Sequence, residues 1–365
     1  MNKLLILPIA IACGFLSGCQ PKESPYQQAL AESARLLDSI RVNQKIPGID
    51  AAIAIDGKIV WSQGFGFADL ELQVPVKAGE TKFRIGSVSK PLSAAALGKL
   101  VDEGKVKLND EVQTYVSYFP EKQYPITVKQ IAGHIAGIRH YRDREFLLNK
   151  RYNGVRQSLE IFDQDSLLFE PGTQYSYSSY GFNLLSAVIE EASGKPFLNY
   201  VQQTVFDPLQ MTGTSPDYND QIIPGRTSFY DLDSLGNIIN APYVDNSYKW
   251  AGGGFISTTT NLIKFGEAHM TAGFLSEETL KEFTTSQVLN NGDSTGYGVG
   301  WGRIETDGVK GFGHTGGSVG GITAFRIYPT ERLILVFLSN SSVTKYGTVG
   351  DRIVNLFLSA KAKQK

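Results

Sequence analysis

Apolar residues recur with two different periods along the chain, and the two periods occupy different regions. Near the N-terminus, residues 26–44 place Leu30, Ala34 and Leu37 on one side, which predicts a helix. The next segment, GIDAAIAIDGKIVWSQGFGFA, contains two apolar runs separated by the dipeptide Asp-Gly, which is a strong signal for a β-hairpin. This end of the chain therefore predicts a helix followed by two antiparallel strands.

Strand-like segments return only near the C-terminus. YGVGWGRI, GFGHTGG and ITAFRIYPTERLILVFLS are rich in β-branched and aromatic residues, and a final helix follows in VGDRIVNLFLSAKAK. Residues 90–287 show mostly helical periods, as in YGFNLLSAVIEEASG. The pattern predicts an α+β fold over residues 28–363. An antiparallel sheet with flanking helices comes from about 28–90 and 288–363, and a large helical lobe of about 91–287 is inserted between its two parts. A cleft between sheet and lobe is the natural place for a site.

The first 19 residues, MNKLLILPIAIACGFLSGC, form a separate region. One lysine precedes an apolar run that is too short for a spanning helix and fits a secretory signal over residues 1–18. Leu-Ser-Gly-Cys resembles a bacterial lipoprotein signal, in which Cys19 is acylated; a non-lipidated signal with a chance cysteine is the alternative. Residues 19–27 would then be a lipidated tether. We expect a lipid-anchored protein of the bacterial cell envelope that faces the periplasm, and Gln20 favours the outer membrane.

Composition limits the classes of function. The 365 residues are 42% hydrophobic and carry a formal net charge of −1, so the chain suits one large globular domain and offers no basic surface for nucleic acid. One of the two cysteines would leave with the signal, which excludes an internal disulfide in the mature chain.

Several catalytic patterns are absent from the sequence. The glycine-rich segments WAGGGF and GHTGGSVGG lack the spacing of a dinucleotide fingerprint or a P-loop, and the four histidines form no HExxH or CxxC framework. No G-x-S-x-G elbow occurs either. We therefore expect neither a metal nor a cofactor.

The segment RIGSVSKPLSAAALGKL contains Ser87 and Lys90 three residues apart, where a helix is predicted to begin at Ser87. At this spacing the hydroxyl and the amine share one helix face. A serine becomes a good nucleophile when a neighbour accepts its proton, and a lysine with a lowered pKa can do so. The same spacing occurs at Ser342 and Lys345, but that segment is predicted to be a turn. An N-cap serine followed by a solvated lysine remains the alternative for Ser87.

Further segments carry a resemblance to a known family. Over roughly residues 27–340, four segments resemble, in the same order, those of the serine β-lactamase and penicillin-binding protein superfamily. They are FRIGSVSKPLSAAALGKLVDEGKVKLND, PGTQYSYSSYGFNLLSAVIEEASGKPF, WAGGGFISTTTNLIKFG and HTGG. The likeness is to its class C β-lactamase, D,D-peptidase and esterase branch. FPEKQYP, GIRHY and APYVDNSYKWAGGGF further resemble the mitochondrial serine β-lactamase-like proteins of animals.

The resemblance implies roles for particular residues. Ser87 would be the acylated nucleophile, Lys90 its proton acceptor and Tyr177 a second acid and base. The backbone N–H groups of Ser87 and Gly317 would form the oxyanion hole. The resemblance also places His314 in the site.

Two positions depart from the pattern of that branch. Ser179 stands where the branch has an asparagine, and His314-Thr315-Gly316 stands where it has Lys-Thr-Gly. A permanent cation thereby becomes a group only partly charged at neutral pH. Ser179, Thr315, Gly316 and Gly317 remain the expected substrate-binding residues, and both changes weaken the case for penicillin turnover.

His134 and His140 are expected to be structural. Together, residues and resemblance predict a serine acyl-hydrolase that acts on an amide or ester. Its substrate would be a small peptide, an ester or a cell-wall stem peptide, with peptidase activity slightly favoured. The alternatives are a β-lactamase and a non-catalytic, self-associating scaffold, so homo-oligomers remain open.

Overall fold

The computed structural model describes residues 25–364. The expected signal, the acylated Cys19 and most of the tether lie outside the described residues. Within the described part of the chain, no helix combines the length and the apolar character needed to cross a membrane.

A seven-stranded antiparallel sheet is built from both ends of the chain, in the order β3-β2-β1-β12-β11-β10-β9. The β1–β2 hairpin turns at Asp56 and Gly57, both with positive φ, as the Asp-Gly dipeptide predicts. The two ends meet where β1 pairs with β12, with Ile53 opposite Leu335. The strands are β1 Gly48–Ile55, β2 Lys58–Asp69, β3 Val74–Pro75, β4 Phe83–Arg84, β5 Ser215–Pro216, β6 Tyr230–Leu232, β7 Ile238–Asn240, β8 Phe255–Ser257, β9 Gly302–Thr306, β10 Val309–Ser318, β11 Gly321–Tyr328 and β12 Leu333–Ser339.

Ten α-helices are assigned within residues 25–364. They are α1 Gln27–Asn43, α2 Ser89–Asp102, α3 Val128–Ala132, α4 Val155–Leu159, α5 Ser179–Ser193, α6 Phe197–Val201, α7 Trp250–Gly253, α8 Thr259–Ala268, α9 Glu277–Thr284 and α10 Val349–Ala362. The terminal helices α1 and α10 lie on one face of the sheet, where Leu37, Phe357 and Phe337 share an apolar core. The opposite face packs against α2 and α8 through a second core.

The predicted fold class is confirmed, with one addition. The inserted lobe also contains the hairpin β6–β7, and its strands β8 and β5 form a three-stranded sheet with β4, which precedes the lobe, in the order β4-β8-β5. Each of these strands has only two or three residues, which is too short for an alternating pattern to be visible in the sequence. The small sheet matters for the site because β4 leads directly into the segment that carries Ser87.

Candidate active site

Ser87 lies in a 3-10 turn, Gly86–Val88, that precedes the helix α2. The expectation that Ser87 begins the helix is therefore off by two residues, since α2 starts at Ser89. Gly86 makes this turn feasible because its φ is +49°, and a Cβ there would lie 2.6 Å from the carbonyl oxygen of Gly317. The turn holds the serine at the N-terminal end of α2 and close to strand β10.

Lys90 lies directly beneath Ser87 and is fully buried. Its Nζ atom is 3.0 Å from the Ser87 hydroxyl oxygen and 3.0 Å from the Ser179 hydroxyl oxygen, and it donates to the carbonyl of Gly252 at 2.6 Å. A neutral amine has two N–H groups and one lone pair. If the two N–H groups donate to Gly252 and Ser179, the lone pair faces the Ser87 hydroxyl.

The surroundings of Lys90 favour that neutral form. Burial, and to a smaller degree the positive charge of Lys249, lower the pKa of Lys90 well below its ordinary value. No carboxylate forms an ion pair with Lys90 among residues 25–364. The structure therefore provides a proton acceptor in contact with the Ser87 hydroxyl.

Tyr177 completes the group around Ser87. Its hydroxyl interacts with the side chains of Ser87 and Ser179, and its ring centroid lies 4.7 Å from Lys90 Nζ. Burial raises the pKa of Tyr177, and this effect outweighs the lowering of the pKa by the two hydroxyl contacts. The side chain is thus a neutral phenol, suited to donate a proton rather than to start the reaction as phenolate.

The segment from Tyr177 to Ser179 is held by two histidines. His134 Nδ1 accepts the backbone N–H of Ser178 at 3.2 Å, and His140 Nδ1 accepts that of Ser179 at 3.1 Å. Burial lowers the pKa of His140 to about 4, so its ring is neutral and can accept. These contacts agree with the structural roles expected for both histidines, although His140 also lines the pocket.

Strand β10 forms the opposite wall of the site. His314, Thr315, Gly317 and Ser318 line the pocket, whereas Gly316 is not part of its lining. A Cβ on Gly316 would lie 2.0 Å from the carbonyl oxygen of Ile85. Gly316 thus lets β10 pass close to the nucleophile segment, and its substrate-binding role stays a prediction.

His314 lines the pocket, but it is not the partly charged group expected from the sequence. Burial, followed by the nearby Lys90, lowers the pKa of His314 to about 3. Its Nε2 atom is 2.9 Å from the hydroxyl of Tyr297, and its Nδ1 atom is 2.5 Å from the carbonyl oxygen of Thr315. The ring is therefore neutral, and both nitrogens are occupied within the protein.

The pocket has a volume of about 550 Å³ and gathers almost all of the expected residues. It is lined by Ser87, Tyr177, Ser179, His314, Thr315 and Gly317. Lys90 contacts Ser87 from the protein interior and is not part of the lining. Ser342, from the second Ser-x-x-Lys match, also lines the pocket. Its hydroxyl accepts the N–H of Gly320 at 2.8 Å, and Lys345 is exposed, so that pair has no buried base.

Sequence reasoning missed two residues of the site, Lys249 and the carbonyl of Gly252. Both belong to SYKWAGGGF, a segment whose glycines are conspicuous but whose lysine gives no local signal of burial. No group of three or more histidine, cysteine, aspartate or glutamate residues in the described chain could hold a metal ion.

The chain was compared with protein families, with individual sequences and with solved structures, and all three comparisons find related proteins. The Beta-lactamase family matches residues 28–358. The mitochondrial serine beta-lactamase-like protein LACTB of Homo sapiens is 32% identical to this chain in an alignment 401 positions long. The alignment covers 84% of this chain and 73% of that protein.

Two solved structures share the fold. One is an octameric penicillin-binding protein homologue from Pyrococcus abyssi, with a TM-score of 0.78, 23% identity, and coverage of 90% of this chain and 77% of that one. The other is the D-amino acid amidase from Ochrobactrum anthropi SV3 complexed with D-phenylalanine, with a TM-score of 0.79 and 20% identity. The match covers 94% of this chain and 100% of that one.

Proposed function

The chain belongs to the beta-lactamase family, and from this premise we propose that it cleaves an amide or ester through an acyl-enzyme on Ser87. Family membership supports serine acyl-hydrolase activity in general. The observation that carries the proposal for this chain is the contact between the Ser87 hydroxyl and the buried amine of Lys90, 3.0 Å away. A serine without such a proton acceptor is a poor nucleophile.

In the acylation step, the oxygen of Ser87 attacks the substrate carbonyl carbon and its proton moves to the Nζ atom of Lys90. Backbone N–H groups of Ser87 and Gly317 would stabilise the negative charge that develops on the carbonyl oxygen. The tetrahedral intermediate collapses as Tyr177 donates its phenolic proton to the leaving nitrogen or oxygen. Lys90 returns a proton to Tyr177, so both groups regain their starting forms.

In deacylation, water is the nucleophile and Lys90 again accepts the proton. A water oxygen attacks the acyl carbon and its proton moves to neutral Lys90. The bond between the acyl carbon and Ser87 then breaks, and the serine oxygen takes the proton back. No added oxidant, metal or cofactor is needed to balance either step.

For the substrate, we favour a peptide bond, including that of a cell-wall stem peptide, over a simple ester. The two solved neighbours are a D-amino acid amidase and a penicillin-binding protein homologue, and a lipoprotein of the envelope would face the cell wall. An esterase is the alternative within this reaction class. A β-lactamase ranks lower, because neutral His314 stands where the branch has the lysine of Lys-Thr-Gly, opposite the carboxylate of a penicillin.

The anchor is a separate part of the proposal. Acylated Cys19 would hold the catalytic domain at the periplasmic side of a bacterial membrane, and Gln20 favours the outer membrane. Membrane fractionation of cells that express the chain or its Cys19→Ala variant tests this. The chain should sediment with the outer membrane and the variant should not; identical distribution of the two would refute the anchor.

A non-catalytic scaffold is the rival from another functional class. The Pyrococcus neighbour is octameric, and we extend to this chain only the proposal that it too forms homo-oligomers. Self-association of a protein whose Ser87 never reacts would support the rival.

Intact-mass measurement after incubation with a fluorophosphonate tests the catalytic proposal. We expect one adduct, mapped to Ser87, that is absent from Ser87→Ala and unchanged in Ser342→Ala, the matched control from the same pocket. A separate incubation with a penicillin distinguishes subclasses. A lasting adduct favours a D,D-peptidase, and rapid loss of penicillin without one favours a β-lactamase. Folded protein that reacts with neither reagent would overturn the hydrolase proposal.

A further inference from the structure

A second buried lysine, Lys249, lies in the wall of the pocket that contains Ser87. It directly precedes helix α7 and is 2% exposed. Its Nζ atom lies over three aromatic rings, 4.4 Å from the centroid of Phe146, 5.2 Å from that of Tyr248 and 5.7 Å from that of Tyr141. The expected catalytic mechanism gives this lysine no role.

The amine of Lys249 has no acceptor among residues 25–364: no carboxylate, carbonyl or hydroxyl lies within hydrogen-bond or ion-pair distance of it. Lys90, in the same site, contacts three oxygen atoms. Aromatic rings offset only part of the cost of desolvating an ammonium group. Lys249 is thus an unsatisfied donor on the wall of a pocket large enough for a ligand.

The charges behind Lys249 do not neutralise it. Asp217 attracts it from a distance, but this carboxylate accepts from Arg84 at 2.6 Å, from Arg226 at 3.0 Å and from Asn246 at 2.9 Å. One carboxylate therefore already serves two guanidinium groups. Asp217 and the two guanidinium groups that it binds together carry a net positive charge.

We propose that Lys249 binds a carboxylate of the substrate, so that the preferred substrates are acyl compounds with a carboxylate close to the scissile bond. This inference rests on the proposed function, since it names the substrate class for the same site. The carboxylate can belong to the acyl portion or to the leaving group. In either position it would supply the acceptor that the protein does not provide to Lys249.

The protonation behaviour of Lys249 agrees with this role. Burial, together with the positive Arg84, lowers the pKa of Lys249 to about 7, while Asp217 acts in the opposite direction. A bound carboxylate would raise that pKa and favour the ammonium form. His314, on the opposite wall, is neutral and offers no competing cation.

Two matched pairs of ester substrates test the proposal. The acyl pair is the p-nitrophenyl monoester of glutaric acid and the p-nitrophenyl ester of glutaramic acid. The leaving-group pair is the acetyl esters of 3-hydroxybenzoic acid and of 3-hydroxybenzamide. We expect kcat/KM to favour the carboxylate in at least one pair by about 10- to 100-fold, the range for one charge-assisted hydrogen bond. Preference for the neutral member in both pairs would overturn the proposal.

Variants assign the preference to Lys249. In Lys249→Met the ratio of kcat/KM within the preferred pair should fall to about one, because the interaction with the carboxylate is lost. Lys99→Met is the matched control: Lys99 lies 4.0 Å from the ring centroid of Phe274, outside the pocket, and its loss should leave the ratio unchanged. An unchanged ratio in folded Lys249→Met would assign the preference elsewhere and refute the proposal.

A measurement on the unaltered protein covers the case in which Lys249→Met does not fold. The preference for the carboxylate should decline as pH rises above the pKa of Lys249, since the substrate carboxylate stays ionised throughout. Of the groups that act on Lys249, Tyr141 and Tyr248 are neutral phenols with raised pKa values, and Arg84 remains charged. A preference that does not change between pH 6 and 10 would contradict an ammonium donor with a lowered pKa.

Binding separates this inference from the proposed reaction. Calorimetry on Ser87→Ala with the same four esters measures recognition without turnover. If the unaltered protein hydrolyses none of them but the variant binds the anionic members more tightly, the proposed function fails and the role of Lys249 stands. Equal binding of anionic and neutral members would overturn that role whatever the activity.

Discussion

Lys90 Nζ lies 3.0 Å from the hydroxyl oxygen of Ser87, in a position where the lysine is fully buried and has no carboxylate partner among the described residues. Burial disfavours the ammonium form, so the amine is held neutral next to the hydroxyl that it is to deprotonate. The fold thus activates the serine through desolvation rather than through an adjacent acid.

Replacing Lys90 by methionine should separate catalysis from stability. The rate of Ser87 acylation by a fluorophosphonate should fall by about 10²–10⁴-fold, the usual contribution of a general base. The free energy of unfolding should change by only about 2 kcal/mol or less, because the loss of three hydrogen bonds is offset by no longer burying an amine. Labelling kinetics and urea unfolding measure the two effects. Acylation within a few-fold of the unaltered rate would exclude Lys90 as the base.

Replacing Tyr177 by phenylalanine should impair amides more than activated esters. An amine must be protonated as it leaves, whereas p-nitrophenolate leaves without a proton. For one acyl group, we expect kcat/KM to fall about 10²–10⁴-fold on the p-nitroanilide and about tenfold or less on the p-nitrophenyl ester. Tyr175→Phe is the matched control, since Tyr175 is a neighbouring tyrosine outside the pocket lining. Equal losses on both substrates would show that Tyr177 does not protonate the leaving group.

Lys249 should also affect the pH dependence of the reaction. Its positive charge is one cause of the lowered pKa of Lys90, so Lys249→Met should raise that pKa. Because Lys90 must be neutral to accept the proton, the acid limb of kcat/KM for a neutral substrate should move to higher pH. An acid limb that stays in place or moves to lower pH would exclude electrostatic coupling between the two lysines.

Asp50 predicts a pH dependence of stability. Burial raises its pKa from 3.8 to about 7, against hydrogen bonds from the Gly79 N–H and the Thr259 hydroxyl. Between these two values the folded state binds more protons than the unfolded state, so the free energy of unfolding should fall as pH rises from about 4 to about 7.

Asp50→Asn removes this titration while keeping a neutral side chain of the same shape. The variant should match the unaltered protein near pH 4 and exceed it near pH 8 by up to about 4 kcal/mol, since one pKa unit corresponds to about 1.4 kcal/mol. Urea unfolding at the two pH values is the measurement. Unaltered protein that is as stable as Asp50→Asn at pH 8 would contradict the raised pKa.

The parts of the structure that depend on local sequence could be predicted. The Asp-Gly hairpin, the terminal helices and the spacing of Ser87 and Lys90 are each encoded within a few residues, and the structure contains the hairpin, the helices and the contact. The resemblance further indicated Tyr177 and β10, which come from distant segments but carry recognisable motifs.

The features that depend on packing could not be predicted. The carbonyl of Gly252 reaches Lys90 from 162 positions along the chain, and nothing near Lys249 marks it as buried. The charge of His314 was wrongly expected to be partial, because its burial and its contact with Tyr297 are tertiary effects. The close contact at Gly316 depends on the approach of β10 to Ile85, which the sequence does not show.

The rate at which a fluorophosphonate labels Ser87, measured from pH 5 to 11, shows over which pH range Lys90 is neutral and activates the serine. The reagent does not change its charge over this range, so the profile reports the group that activates the serine. We predict a plateau that begins well below pH 10.5, the ordinary pKa of a lysine, because Lys90 is already neutral there. A rate that keeps rising about tenfold per pH unit through pH 10 would contradict it.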